Sequence, residues 1–202
     1  MAAYPLLLSE GVDSDLDRVM QQLYTYVWIS DFHGPLINYA TLVSKYNIHE
    51  VVNVCDIEPT RLQKTRYKNF GVAYRWFKTH ELPNVNIIKI GIRVAQIIRR
   101  RSLRGQAVLV HCWAGMNRSA CCILISRMLD DDTPETLVAA LKHIRTIRPI
   151  VHPAVFFHRQ LLALQDRIDL YYQTHGVRLS IASSRLPPSA APHPPPAVST
   201  RD

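Results

Sequence analysis

Long apolar runs, metal-type cysteine spacing and acidic charge are all scarce in this 202-residue chain. No apolar run approaches the roughly 20 residues that cross a bilayer, so no membrane span is expected. The opening "MAAYPLLLSEGVDSD" carries a short apolar patch with no basic residue ahead of it, which argues against a secretory leader. No two of the four cysteines, Cys55, Cys112, Cys121 and Cys122, have CxxC spacing, so a zinc site lacks support. Without export they read as free thiols, and the expected location is intracellular, in cytoplasm or nucleus. Acidic residues number 16 against 24 Lys and Arg, giving a net charge of +8. Basic residues cluster in "RRRSLR" (99–104) and "KHIRTIR" (142–148). Such clusters form solvated helix faces, or they attract anionic partners such as phosphorylated protein, RNA or acidic lipid.

The length suits one domain with a substantial core, and no internal repeat is visible. Residues 1–25 read as an N-terminal extension or helix, and 26–175 as the folded domain. The remaining 176–202 hold six of the 13 prolines and read as a disordered tail, a solubilising segment or a docking site for a partner. Strands are expected at 26–30, 50–55, 73–77 and 106–112. Helical patterns fill much of the space between them. "PLINYATLVSKYNI" puts Leu36, Tyr39, Ala40 and Val43 on one face, and 85–101 repeats Ile87, Ile90, Val94, Ile97 and Ile98. A further helix is expected to start with Thr133 as N-cap and Pro134 at its first position, burying Leu137, Leu141 and Ile144 before Pro149 stops it. A last helix follows "HPAVFF". Strand–helix alternation of this kind predicts an α/β fold: a central mixed or parallel sheet flanked by helices, in a single domain.

The chemistry gathers in "HCWAGMNRS", residues 111–119, between a buried strand and a helix start. A loop curling into a helix N-terminus aims several backbone N–H groups at one point, where the helix dipole adds positive charge. The sequence therefore predicts an anion site built from Trp113, Ala114, Gly115, Met116, Asn117 and Arg118. Gly115 permits the curl, and the Arg118 guanidinium offers a planar fork for two phosphate oxygens. In that field Cys112 would be held as a nucleophilic thiolate. Ser119 is placed to hydrogen-bond the sulfur and His111 to brace the loop.

This stretch matches the HCxxGxxR(S/T) signature of the cysteine-dependent protein tyrosine phosphatases, and its surroundings resemble their small dual-specificity branch. "GPLINYATLVSKYNIHEVVNVCDIEP" resembles the segment preceding the catalytic half. "HPAVFFHRQLLALQ" resembles the closing helix, with His152 and Pro153 in reversed order. The resemblance spans roughly 25–170 and implies the branch's α/β domain, Cys112 attacking a phosphoryl group, a phosphocysteine intermediate and hydrolysis by water without metal or other cofactor. It also implies an aspartate about thirty residues before the cysteine, which protonates the leaving oxygen. This chain has none there. Glu81 lies 31 residues ahead and His80 lies 32 ahead; either is a candidate acid, or the loop holds none. Asp56 and Glu58 read as loop-capping or solvated carboxylates. In some relatives a cysteine at the place of Cys55 forms a reversible disulfide with the nucleophile; otherwise Cys55 is a small buried residue.

Three functions fit. The first is a protein phosphatase acting on phosphotyrosine and phosphoserine or phosphothreonine, with phosphorylated proteins as partners. The second is an RNA 5′-phosphatase, favoured by Asn117–Arg118 and the basic clusters but not by the following Ser119–Ala120. The third is a phosphate-binding pseudophosphatase. Phosphoinositides fit less well, because the loop carries no lysine.

Overall fold

The structure, a computed structural model, describes residues 19–36 and 39–176. Five strands form one mixed sheet: β1 (Met20–Tyr24), β2 (Val27–Ser30), β3 (Ile48–Asn53), β4 (Ala73–Trp76) and β5 (Ala107–His111), in the order β1-β2-β5-β3-β4. The β1–β2 pair is antiparallel and the other pairings are parallel. Among the described residues six α-helices complete it: α1 (Tyr39–Ser44), α2 (Arg61–Asn69), α3 (Ile87–Ser102), α4 (Arg118–Met128), α5 (Leu137–Ile147) and α6 (Val155–His175). This is the α/β architecture that the strand–helix alternation predicts.

β5 is buried along its whole length, as expected of a strand covered on both faces. Its alternation sends Val108 and Val110 into the larger core, with α3, α4, α5 and α6. Ala107 and Leu109 enter a smaller core with Leu42 of α1 and Tyr67 of α2. Helix α4 is buried on nearly every side, so it reads as uniformly apolar rather than amphipathic. It lies against α3 at Gly91, where a Cβ would stand 2.3 Å from Ile125 Cδ1.

Several expectations need correction. Residues 20–24 form strand β1 rather than an extension or helix, so the domain already includes the segment before residue 26. Gln21 and Trp28 pair directly with Ile29 and Gln22 across the hairpin, an arrangement no local pattern announces. Helix α1 is only six residues long and buries Tyr39 and Leu42, while Ala40 faces solvent. Helix α5 starts later than expected: Thr136, not Thr133, is its N-cap and accepts from Ala139 N–H. Thr133 instead gives its carbonyl and hydroxyl oxygens to Arg127, at 3.1 and 3.0 Å. Helix α2, unmarked by a strong apolar stripe, is set by a capping box in which Thr60 and Gln63 exchange hydrogen bonds. The expected proline-rich tail at 176–202 lies, apart from Gly176, outside the described residues, as does most of the N-terminal extension.

Three of the four arginines of the "RRRSLR" cluster are paired within the protein. Arg100 and Arg101 at the end of α3, with Arg75 of β4, converge on the fully buried carboxylate of Glu50. Arg99 pairs with Asp131.

Candidate active site

Parallel strands deliver their carboxyl ends to one edge of the sheet, and open α/β sheets bind ligands at such edges. Here the segment after β3 supplies Cys55 and Asp56, the segment after β4 supplies Thr79, His80 and Glu81, and β5 runs into the loop 112–117 before α4. The strand–loop–helix geometry expected from the sequence is therefore present, with Arg118 as the first residue of α4.

Gly115 is the pivot of the loop. Its φ is +61°, and a Cβ there would sit 2.4 Å from the Ser30 carbonyl oxygen at the end of β2. The loop is also held from outside. Phe32 N–H donates to the Trp113 carbonyl at 2.9 Å, and His152 N–H to the Met116 carbonyl at 3.0 Å. The Asn117 side chain turns away from the loop, accepting from Ala154 N–H at 2.9 Å. The largest brace is Arg148, just after α5: Nε donates to the Gly115 carbonyl at 2.8 Å and Nη2 to the Ala114 carbonyl at 3.2 Å. In the sequence Arg148 is only one member of a basic cluster. Its role arises from a contact 33 residues away along the chain, which no local pattern records.

Cys112 lies buried at the base of the loop, with Sγ 3.2 Å from Ser119 Oγ. Burial opposes the thiolate. Hydrogen bonds from the Ser119 hydroxyl and backbone, the Arg118 charge and the Gly115 backbone outweigh it, holding the thiol below its ordinary range. Cys55, Cys121 and Cys122 are pushed up by burial and remain thiols. All four cysteines are free. His111 is fully buried and kept neutral, its pKa lowered to about 4 by desolvation. The neutral ring sets Nδ1 3.3 Å from the Cys112 carbonyl, bracing the strand end.

Arg118 gathers the remaining groups. Nη1 donates to Asp56 Oδ1 at 3.0 Å and to the Thr79 carbonyl at 2.9 Å. Glu81 Oε2 stands 3.4 Å from Nε, close enough for an ion pair but without hydrogen-bond geometry. His80 Nδ1 is 3.9 Å from Asp56 Oδ2. Both candidate acids thus stand at the mouth of the loop, and Glu81 is the one that reaches the arginine. Asp56 is no simple loop cap. A backbone N–H within its own turn, then the Arg118 guanidinium, hold its carboxyl below the usual range. Residue type alone gave no reason to rank Asp56 above any other exposed carboxylate.

Trp113, half exposed, stacks on Phe32 with ring centroids 5.4 Å apart, so one indole face packs against the protein. Among the described residues no group of three or more His, Cys, Asp and Glu side chains could hold a metal ion.

Residues 35–167 match the family model described as Dual specificity phosphatase, catalytic domain. The chain belongs to that family. Within it, the chain is 26% identical over 145 residues to Dual specificity protein phosphatase 19 of Mus musculus, covering 67% of this chain and 62% of that protein. It is 36% identical over 103 residues to Dual specificity protein phosphatase 26 of Homo sapiens, covering 50% of this chain and 47% of that protein. The chain therefore spans less than two thirds of either relative's length. Among solved structures, a mouse putative dual specificity phosphatase complexed with zinc tungstate superposes with a TM-score of 0.65 at 19% identity. That match covers 84% of this chain and 97% of the other. At that identity the likeness shows the dual specificity phosphatase fold alone.

Proposed function

We propose that this chain is a protein phosphatase that hydrolyses phosphotyrosine and phosphoserine or phosphothreonine through a phosphocysteine. The observation that carries the reading is Cys112 Sγ placed 3.2 Å from Ser119 Oγ at the start of α4, with its thiol pKa lowered. The Cys112 thiolate attacks phosphorus, the ester P–O bond breaks, and the leaving oxygen takes a proton from Glu81. Water then attacks the phosphocysteine, giving its proton to the Glu81 carboxylate and releasing phosphate and thiolate. The Ser119 hydroxyl stabilises the departing sulfur. The Arg118 fork and loop amides stabilise charge on the phosphoryl oxygens. Glu81 fits the donor role better than His80 because it already faces Arg118, which the phosphate would engage.

Phosphorylated proteins are favoured over RNA as substrates. Of the basic clusters that favour RNA, Arg99, Arg100 and Arg101 are paired with Asp131 and Glu50. Four free thiols fit a reducing intracellular compartment, cytoplasmic or nuclear. No helix among the described residues is long and apolar enough to cross a membrane. Cys55 follows the end of β3, which pairs with the His111 end of β5 just before the nucleophile, and so fits a redox partner: a Cys112 sulfenic acid would condense with it to a disulfide, releasing water. Peroxide treatment and peptide mapping should yield a Cys55–Cys112 bond.

The deciding test is an assay panel of p-nitrophenyl phosphate, phosphotyrosine and phosphothreonine peptides, 5′-triphosphate RNA and a phosphoinositide. Peptide hydrolysis is expected. Preference for RNA would overturn the substrate class, and no hydrolysis would favour a pseudophosphatase.

A further inference from the structure

Beside the catalytic loop lies a groove of about 550 Å³ that the chemistry of phosphate transfer does not use. Its lining includes Trp113 and Ala114, the two residues following the nucleophile, and Ile147 at the end of α5 with Pro149 and Ile150 just beyond it. Ile150 and Trp113 are each 53% exposed and Ile147 is 36% exposed. Large apolar side chains held in water at the mouth of a site mark a surface that receives something apolar.

The polar groups of the groove narrow the choice. Its one arginine, Arg148, is buried and donates to the carbonyls of Gly115 and Ala114 and to the Gln21 side chain, so it offers little to an incoming anion. The nearby carboxylate, Asp31, accepts from the backbone N–H groups of His33 and Gly34 through Oδ1 and adds negative charge. Apart from the His33 imidazole, the groove offers little to a phosphate-bearing ligand such as RNA or a doubly phosphorylated segment. It offers more to an aliphatic or aromatic side chain.

Continuity with the nucleophile says where that side chain comes from. An extended peptide advances about 3.3 Å per residue, so a side chain one to three positions from a phosphoresidue over Cys112 reaches a wall that begins at Trp113.

We infer that the groove between Trp113 and Ile150 is a specificity subsite that takes a bulky apolar side chain flanking the phosphoresidue of a protein substrate. This rests on the phosphatase reading. Ile150 is its selectivity residue, since it lines the groove and lies outside the loop that binds phosphate.

The test uses phosphotyrosine peptides identical except for Leu or Asp at the one to three positions on either side, with p-nitrophenyl phosphate as a flank-free control. The full chain should show about tenfold higher kcat/KM for a Leu peptide than for its Asp counterpart. In Ile150→Asp, and in the milder Ile150→Ser, p-nitrophenyl phosphate turnover should persist while that preference falls towards one. Equal rates for Leu and Asp peptides at every position, with p-nitrophenyl phosphate turned over normally, overturn the subsite alone. A dimer abolished by Ile150→Asp, together with equal peptide rates, would assign the groove to a second copy and also overturn it. Failure of the unaltered chain to hydrolyse p-nitrophenyl phosphate would instead strike the phosphatase reading.

Discussion

At the level of single residues, the thiolate of Cys112 depends on a few short contacts working against its burial. Cys112→Ser should abolish turnover while vanadate still binds, measured by assay and calorimetry; retained turnover would refute the mechanism. Ser119→Ala removes the hydrogen bond at 3.2 Å. A hydrogen bond to a charged group is worth roughly 1.5–3 kcal/mol. Because the pKa is lowered in the native site, losing that bond raises it, and the acid limb of the kcat/KM profile should move to higher pH. Glu81→Gln should slow phenyl phosphate by roughly 10²–10⁴-fold, with a far smaller effect on substrates with good leaving groups. If His80→Asn reproduces that pattern and Glu81→Gln does not, the acid is His80.

Elements hold those residues in place, and their constraints are mostly long-range. Gly115→Ala puts a methyl against the Ser30 carbonyl in a backbone region that disfavours it. The loop should shift, with loss of both phosphate affinity and kcat. Arg148→Met keeps the bulk of that side chain but frees the Gly115 and Ala114 carbonyls, so kcat should fall through the loop that Arg148 braces, even for p-nitrophenyl phosphate. An inhibition constant for phosphate that weakens in parallel would show that the loop, rather than the chemistry, has suffered. The elements themselves were unequally visible. The apolar run of β5 and the period of α3 announced themselves, whereas β1 is defined by its hairpin partner and α2 by a cap.

Across the molecule, the buried Glu50 joins β3, β4 and α3 through three arginines. Burial raises its pKa, but hydrogen bonds and charge from Arg101, Arg75 and Arg100 prevail, so the net shift is downward. A carboxyl lowered in the folded state contributes stability above its unfolded pKa and loses it as pH falls through the folded value. Acid unfolding should therefore begin below about pH 4, near the ordinary carboxylate range. Glu50→Gln leaves the mostly buried Arg101 and the half-exposed Arg75 and Arg100 facing a neutral amide, and should lower stability in denaturant unfolding at neutral pH. The same substitution should flatten the acid limb of stability.

The sequence by itself determined the fold class, the buried central strand and the loop 111–119, because these rest on local period and on residues within one turn of each other. The tertiary structure alone decided which charges meet. Asp56 reaching Arg118, Arg148 bracing Gly115 and Arg101 facing Glu50 join positions 62, 33 and 51 residues apart. Such pairs come together only when the strands align in the sheet. Chain spacing carries no record of that alignment, so Asp56, Arg148 and Arg101 each read in isolation as an ordinary solvated charge.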